Sequence, residues 1–310
     1  MENCFFEPIL IHIGVGKSGT TSLQENLFNI LTNINNIGRP NHYSKLYKDF
    51  VYGITKAEDY ELNDYVHPFL KYINNLDKSK KFVLSDENLL SEVDSIVAKR
   101  LKKFFPNASI LISIRNQMTA IPSYYLRHYT SLKDVPCANK IKYISFDDYL
   151  KFFTNNSSIG FFKKINYYKQ YLVYNEFFDE EKIHILLFED MIYNQEIFFK
   201  KISSILDINK KVLFNTFNTK EVKNSNATSR INTYKKFRSL IPISSFSNIP
   251  CLNKIKPRIN RFLKKGKSEK MEIPIQYIPT INLIFSKDNM KLAEKLNLDL
   301  RKYKYPLEEK

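Results

Sequence analysis

Cysteine is nearly absent from this sequence. Cys4, Cys137 and Cys251 are three in number, odd and far apart, which fits neither a disulfide framework nor a metal knuckle and points to a reducing compartment. The five histidines, His12, His42, His67, His128 and His184, show no metal-ligand spacing such as HxxxH, so no metal is expected. No run approaches about 18 unbroken apolar residues. The N-terminus passes from Met-Glu-Asn-Cys-Phe-Phe-Glu-Pro straight into Ile9 to Ile13, without the basic region, long apolar stretch or small-residue cleavage site of a secretory signal. A cytoplasmic protein is expected, at most peripheral to a membrane. Glycine is scarce too, at seven residues. The few glycines are therefore informative, and Gly14, Gly16 and Gly19 share one six-residue window.

What is present is a large core and an excess of positive charge. With 310 residues and an apolar share of 43%, the chain can fill a sizeable α/β domain. The net charge of +16 favours an anionic partner: a nucleotide, a nucleic acid, an acidic glycan or a membrane surface. Four short apolar runs read as buried strands: Ile9 to Ile13, Lys81 to Ser85, Ser109 to Ile114 and Lys182 to Phe188. Helix-period segments adjoin them, the pattern of a parallel sheet covered on both faces. Leu23, Leu27, Ile30 and Leu31 make the stripe of a first helix. Phe161 to Phe178 reads as a second, aromatic one, and a last amphipathic helix spans roughly Thr280 to Leu296.

The expected fold is a three-layer, P-loop-like α/β domain with a parallel sheet of about five strands and a helical C-terminal extension. Residues 1–240 would form the α/β domain and 241–310 a basic arm and C-terminal helix packing on it. The basic run Lys254 to Lys270 would suit a mobile arm that meets an anionic membrane or acceptor.

The glycine window reads His12-Ile13-Gly14-Val15-Gly16-Lys17-Ser18-Gly19-Thr20-Thr21-Ser22 and lies between the first strand and the first helix. Glycines let backbone approach an anion, whose charge meets successive N–H groups and the helix N-terminus. Lys17 adds a point charge, and Ser18, Thr20 and Thr21 add hydroxyl donors. The Gly-Lys-Ser triplet is superficially that of an ATPase, yet GxxxxGK[ST] needs glycine five residues before Gly16, where Ile11 stands. A second constellation follows the third strand: Arg115 at its end and Ser123 eight residues on. A guanidinium fork binds phosphate bidentately, and a hydroxyl of the next helix can add a further bond.

On these residues the sequence resembles the bacterial-type PAPS-dependent sulfotransferases (PAPS, 3′-phosphoadenosine 5′-phosphosulfate), whose first loop reads PKxGTTxL. Gly16-Lys17-Ser18-Gly19-Thr20-Thr21-Ser22-Leu23 matches that loop, with Gly16 where proline is usual. The resemblance implies that Gly16, Lys17, Ser18, Gly19, Thr20 and Thr21 hold the 5′-phosphosulfate, that Lys17 offsets charge on the leaving phosphate, and that Arg115 and Ser123 grip the 3′-phosphate. It extends to Lys182-Ile-His-Ile-Leu-Leu-Phe-Glu-Asp-Met191, where Glu189 and Asp190 are expected to cap the next helix. Lys223-Asn224-Ser225, with Arg230 nearby, resembles an Asn-x-Ser element of some members.

The implied activity is sulfuryl transfer from PAPS, releasing 3′-phosphoadenosine 5′-phosphate (PAP), to a hydroxyl or amine. The acceptor would be a glycan, a lipid-linked sugar or a small metabolite. The transfer needs a base, and Ser85-Asp86-Glu87 at the end of the second apolar run resembles the family's Ser-x-Glu. Glu87 is the candidate, with Asp86 and His128 as alternatives. Tyr124 and Tyr125 line the acceptor cleft or belong to the core. A P-loop kinase using ATP and an RNA-binding protein are the competing readings. The failed ATPase spacing and the Arg115/Ser123 pair oppose the first. The lack of a recognisable module opposes the second, so no nucleic-acid partner is expected.

Overall fold

The computed structural model describes residues 9–39, 44–93, 95–128, 144–217 and 271–308, with residues 91–93 as backbone only. Lys223-Asn224-Ser225, Arg230, the basic run 254–270 and the domain boundary at 240/241 lie outside the described residues.

Among the described residues five parallel strands form one sheet: β1 (Ile9–Gly14), β2 (Ile34–Asn36), β3 (Lys81–Ser85), β4 (Ser109–Ile114) and β5 (Ile183–Leu187). Their order is β2-β3-β1-β4-β5. Side chains alternate across the sheet. Ile9, Ile11 and Ile13 of β1 join Phe82, Leu84, Ile110 and Ile112 in the larger apolar cluster, while Leu10, Val83 and Leu111 join the smaller one on the other face. Both faces are therefore buried, as the unbroken apolar runs require.

The smaller cluster is covered by α1 (Thr20–Leu23, continuing as a π-helical turn Gln24–Phe28), α10 (Gln195–Leu206) and α11 (Lys210–Thr216). The larger is covered by α2 (Lys45–Thr55), α3 (Leu62–Asn74), α4 (Ser95–Phe104), α5 (Gln117–His128), α6 (Phe146–Asn155), α7 (Gly160–Lys164), α8 (Tyr167–Asn175) and the C-terminal helix Ile278–Leu296. The three-layer α/β architecture is thus as read from the sequence.

Three local differences have physical causes. The strand β2 pairs with β3 over only Ile34, Asn35 and Asn36; two asparagines in a three-residue edge strand carry no apolar signal. The π turn, closed by Asn29 N–H to the Gln24 carbonyl at 3.1 Å, shifts the helix phase. Phe28 enters the core at 1% exposure and Ile30 is left at 51%. The aromatic segment is not one helix but two, because the Asn166 side chain accepts the Lys169 N–H and caps a new start.

Parallel pairing puts the C-terminal ends of β1, β3, β4 and β5 on one edge. The chain leaves β1 for the β2 side, returns through β3 and crosses β1 to reach β4. Ligands of open α/β sheets bind at such a reversal, outside the strand ends.

Candidate active site

The loop after β1 begins at Gly14, whose φ of +97° lies in the left-handed region, and a Cβ there would come within 3.1 Å of Glu87 Cβ. Glycine is needed at this point for both reasons. Val15 N–H donates to the Ser113 carbonyl at 2.8 Å and Ser18 N–H to the Val15 carbonyl at 3.2 Å, so the loop is stitched to β4 and to itself. Lys17 has φ +76°, a conformation costing a non-glycine residue about 1–2 kcal/mol. Thr20 opens α1 directly, and Thr21 is exposed at its first turn. Gly16 faces open space.

Arg115 continues β4 into the same edge. Its Nη1 donates to the Lys17 carbonyl at 3.1 Å and its Nε to Thr119 Oγ1 at 2.9 Å. The guanidinium lies 4.6 Å from the centre of the Phe188 ring. Tyr167, fully buried, gives its hydroxyl proton to the Arg115 carbonyl at 2.5 Å and accepts the Arg115 N–H at 3.3 Å. The glycine loop and the strand-end arginine, 98 residues apart in sequence, are thereby one structure. Ser123 stands one helical turn beyond Thr119 on α5, half-buried. It makes no hydrogen bond to Arg115.

Sequence reasoning misses Thr119, Tyr167 and Phe188 in this setting, and for Tyr167 and Phe188 no local spacing points to them. Thr119 falls at i+4 from Arg115 and midway to Ser123, a periodicity that would have found it.

A chain of buried polar groups lies beneath the loop. His12 Nδ1 pairs with Ser85 Oγ at 2.7 Å, His12 Nε2 with Ser113 Oγ at 3.1 Å, and Gln24 Nε2 donates to Ser85 Oγ at 3.0 Å. It ties β1, β3, β4 and α1 together. Burial alone lowers the His12 pKa to about 3, so the ring is neutral in the fold but protonates near 6.5 once unfolded. The unfolded chain therefore binds the extra proton as pH falls below 6.5, and stability falls with it. Between pH 7.5 and 4.5 this group should cost about 2.5 kcal/mol. Asp86 and Glu189, raised by burial, act with the opposite sign. Comparing urea midpoints of the parent and His12→Gln isolates the histidine: the variant should lose less stability on acidification, by that amount.

At the end of β3 the three candidate bases separate. Asp86 is buried with both oxygens engaged, Oδ2 by the Tyr47 hydroxyl at 2.8 Å and Oδ1 by Asn88 N–H at 2.8 Å. Tyr47 is held by aromatic contact with Phe50 and Phe69. This carboxylate shapes the turn. Glu87 stands beside the loop with Oε1 accepting from Arg39 Nη1 at 2.7 Å, while Oε2 is buried and without a hydrogen-bond partner. His128 ends α5, roughly 16 Å along the axis from its first turn, and packs on Tyr124 with ring centres 4.4 Å apart. Tyr124 stacks on Phe161 at 3.9 Å, and Tyr125 is core, bonded to the Ile144 carbonyl.

Glu189 and Asp190 do not cap α9 (Phe188–Tyr193) with their side chains. Glu189 accepts from Asn116 N–H at 2.9 Å and from the Tyr305 hydroxyl at 2.8 Å, and Asp190 accepts from the Tyr303 hydroxyl at 2.6 Å. Asn116 Nδ2 donates to the carbonyls of Tyr303 and Lys304. The C-terminal tail is therefore clasped onto the residue following Arg115, a long-range role that local spacing does not encode.

Comparison with known proteins decides the family: the sequence model described as "Sulfotransferase domain" matches residues 7–281. The chain belongs to the sulfotransferase family. This PAPS-dependent sulfotransferase resembles in fold the crystal structure of a sulfotransferase from Alicyclobacillus acidocaldarius, at 14% identity and TM-score 0.58, covering 96% of this chain and 99% of that one. Mouse sulfotransferase SULT7A1, complexed with PAP, matches at 14% identity and TM-score 0.45 over 86% of this chain and 88% of its own. No curated protein matches. The tail that clasps Asn116 lies beyond the family match. Among the sulfotransferase's described residues no cluster of three or more His, Cys, Asp or Glu could hold a metal ion, and no helix is long and apolar enough to cross a membrane.

Proposed function

We propose that this enzyme sulfates a hydroxyl or amine of a carbohydrate, lipid-linked sugar or small metabolite in the cytoplasm, with Glu87 as the base. The loop Gly16–Thr21 receives the 5′-phosphosulfate, Arg115 and Ser123 the 3′-phosphate. The observation that carries this reading is the bond from Arg115 to the Lys17 carbonyl, which joins the glycine loop to the strand-end arginine at the carboxyl edge of the sheet. The residues fit the donor. Ser18 Oγ, in the loop, is buried beside the Tyr167 hydroxyl and makes no well-formed hydrogen bond there. A buried hydroxyl of this kind calls for an acceptor such as a phosphate oxygen.

When bound, PAPS supplies an activated sulfuryl group. Glu87 takes the acceptor's proton as the acceptor's oxygen or nitrogen bonds to sulfur. The Lys17 ammonium stabilises the charge left on the departing phosphate oxygen. Asp86 cannot serve as readily, because both its oxygens already accept hydrogen bonds. His128 is removed by the length of α5.

Calorimetry with PAP and with ATP plus magnesium tests the donor. Micromolar PAP binding indifferent to magnesium is expected, with ATP far weaker. Tight ATP–magnesium binding without PAP binding would overturn the reading.

A further inference from the structure

Arg39 has no counterpart in the roles assigned so far, yet it touches the candidate base. Its position follows from the edge of the sheet. Beyond the β2–β3 ladder, Ile37 N–H still donates to the Val83 carbonyl at 2.9 Å. Gly38 then lies flat against Ser85, where a Cβ would come within 2.3 Å of the Ser85 nitrogen and 2.5 Å of its carbonyl oxygen. No other residue fits that approach. Arg39 leaves β2 one residue later, and Glu87 leaves β3 two residues after Ser85. The two side chains start from adjacent strand ends and meet at 2.7 Å.

The pair is not an ordinary surface ion pair. Arg39 is 39% exposed and Glu87 29%, and the carboxylate is divided: Oε1 is held by the guanidinium, while Oε2 is buried and unpartnered. A carboxylate free to rotate offers either oxygen in any direction. Anchoring through Oε1 fixes the plane of the carboxylate and with it the direction of Oε2, which solvent does not reach in this structure; a fixed direction is what proton abstraction in a short-lived transition state requires.

We propose that Arg39 is a positioning residue for Glu87: it fixes Oε1 and so aims Oε2 at the acceptor's hydroxyl or amine. This rests on Glu87 being the base.

The test is a double-mutant cycle read on the slow transfer of the sulfuryl group from labelled PAPS to water, with PAP affinity measured by calorimetry on each variant. Arg39→Ala should lower the rate about ten- to a hundredfold and leave PAP affinity unchanged. Arg39→Lys, keeping the charge at shorter reach, should recover part of the rate, and Arg39→Gln stands in if the alanine variant does not fold. Glu87→Gln should lower the rate by about a thousandfold. Arg39→Ala combined with Glu87→Gln should be no slower than Glu87→Gln alone. A double variant slower by the full Arg39 factor, a parent-like Arg39→Ala, or loss of PAP affinity in Arg39→Ala overturns the role while Glu87 stands. A parent-like Glu87→Gln removes the base itself, and Arg39's role with it.

Discussion

Arg115→Ala is expected to weaken PAP binding by about a hundred- to ten-thousandfold. Charge-assisted hydrogen bonds contribute about 1.5–3 kcal/mol each, and a fork makes two of them to one phosphate; at 1.4 kcal/mol per tenfold, the loss reaches that range. Part of it would come from the loop, since the same side chain holds the Lys17 carbonyl. Adenosine 5′-monophosphate, which lacks the 3′-phosphate, separates the two contributions. The parent should prefer PAP strongly, and in Arg115→Ala the preference should shrink to the small part that Ser123 sustains. Arg115→Lys should not restore the preference, because an ammonium cannot reproduce together the bonds to Thr119 and Lys17 and the packing on Phe188. An Arg115→Ala variant that prefers PAP as strongly as the parent would move the 3′-phosphate site elsewhere.

The legible part of this molecule is the part governed by local chemistry. Strands β1, β3, β4 and β5 are apolar runs because both sheet faces are buried, and the loop Gly14–Gly19 is visible because glycine is rare elsewhere. What the sequence conceals depends on contacts between distant segments. Arg39 reaches Glu87 only because β2 lies beside β3, and β2 itself is too short and polar to read. Glu189 looks like a helix-capping acid, yet it accepts from Asn116 and Tyr305, because the tail folds back across the ends of β4 and β5. Asp86 and Glu87 are adjacent in sequence, and only the likeness to Ser-x-Glu puts Glu87 ahead of Asp86 as the base. Burial and the Tyr47 hydroxyl set them apart.

Lys17 carries the second large effect, and its backbone lets charge and conformation be tested separately. In Lys17→Ala the ammonium is lost while the strained φ of +76° remains. In Lys17→Gly the charge is lost and the strain relieved, since glycine adopts that region freely. Neither change removes the carbonyl that Arg115 holds. Transfer of the sulfuryl group from PAPS to water should therefore fall in both variants by about a hundred- to a thousandfold, the scale set by removing one preorganised electrostatic partner. Unfolding should distinguish them, with the glycine variant about 1 kcal/mol more stable than the alanine variant. If the rate drops in the alanine variant and recovers in the glycine one, the loop's shape and not the ammonium limits transfer. Equal losses with unequal stabilities would locate the catalytic contribution in the Lys17 charge, and the strained backbone would be a cost the fold bears to hold that charge beside the leaving phosphate.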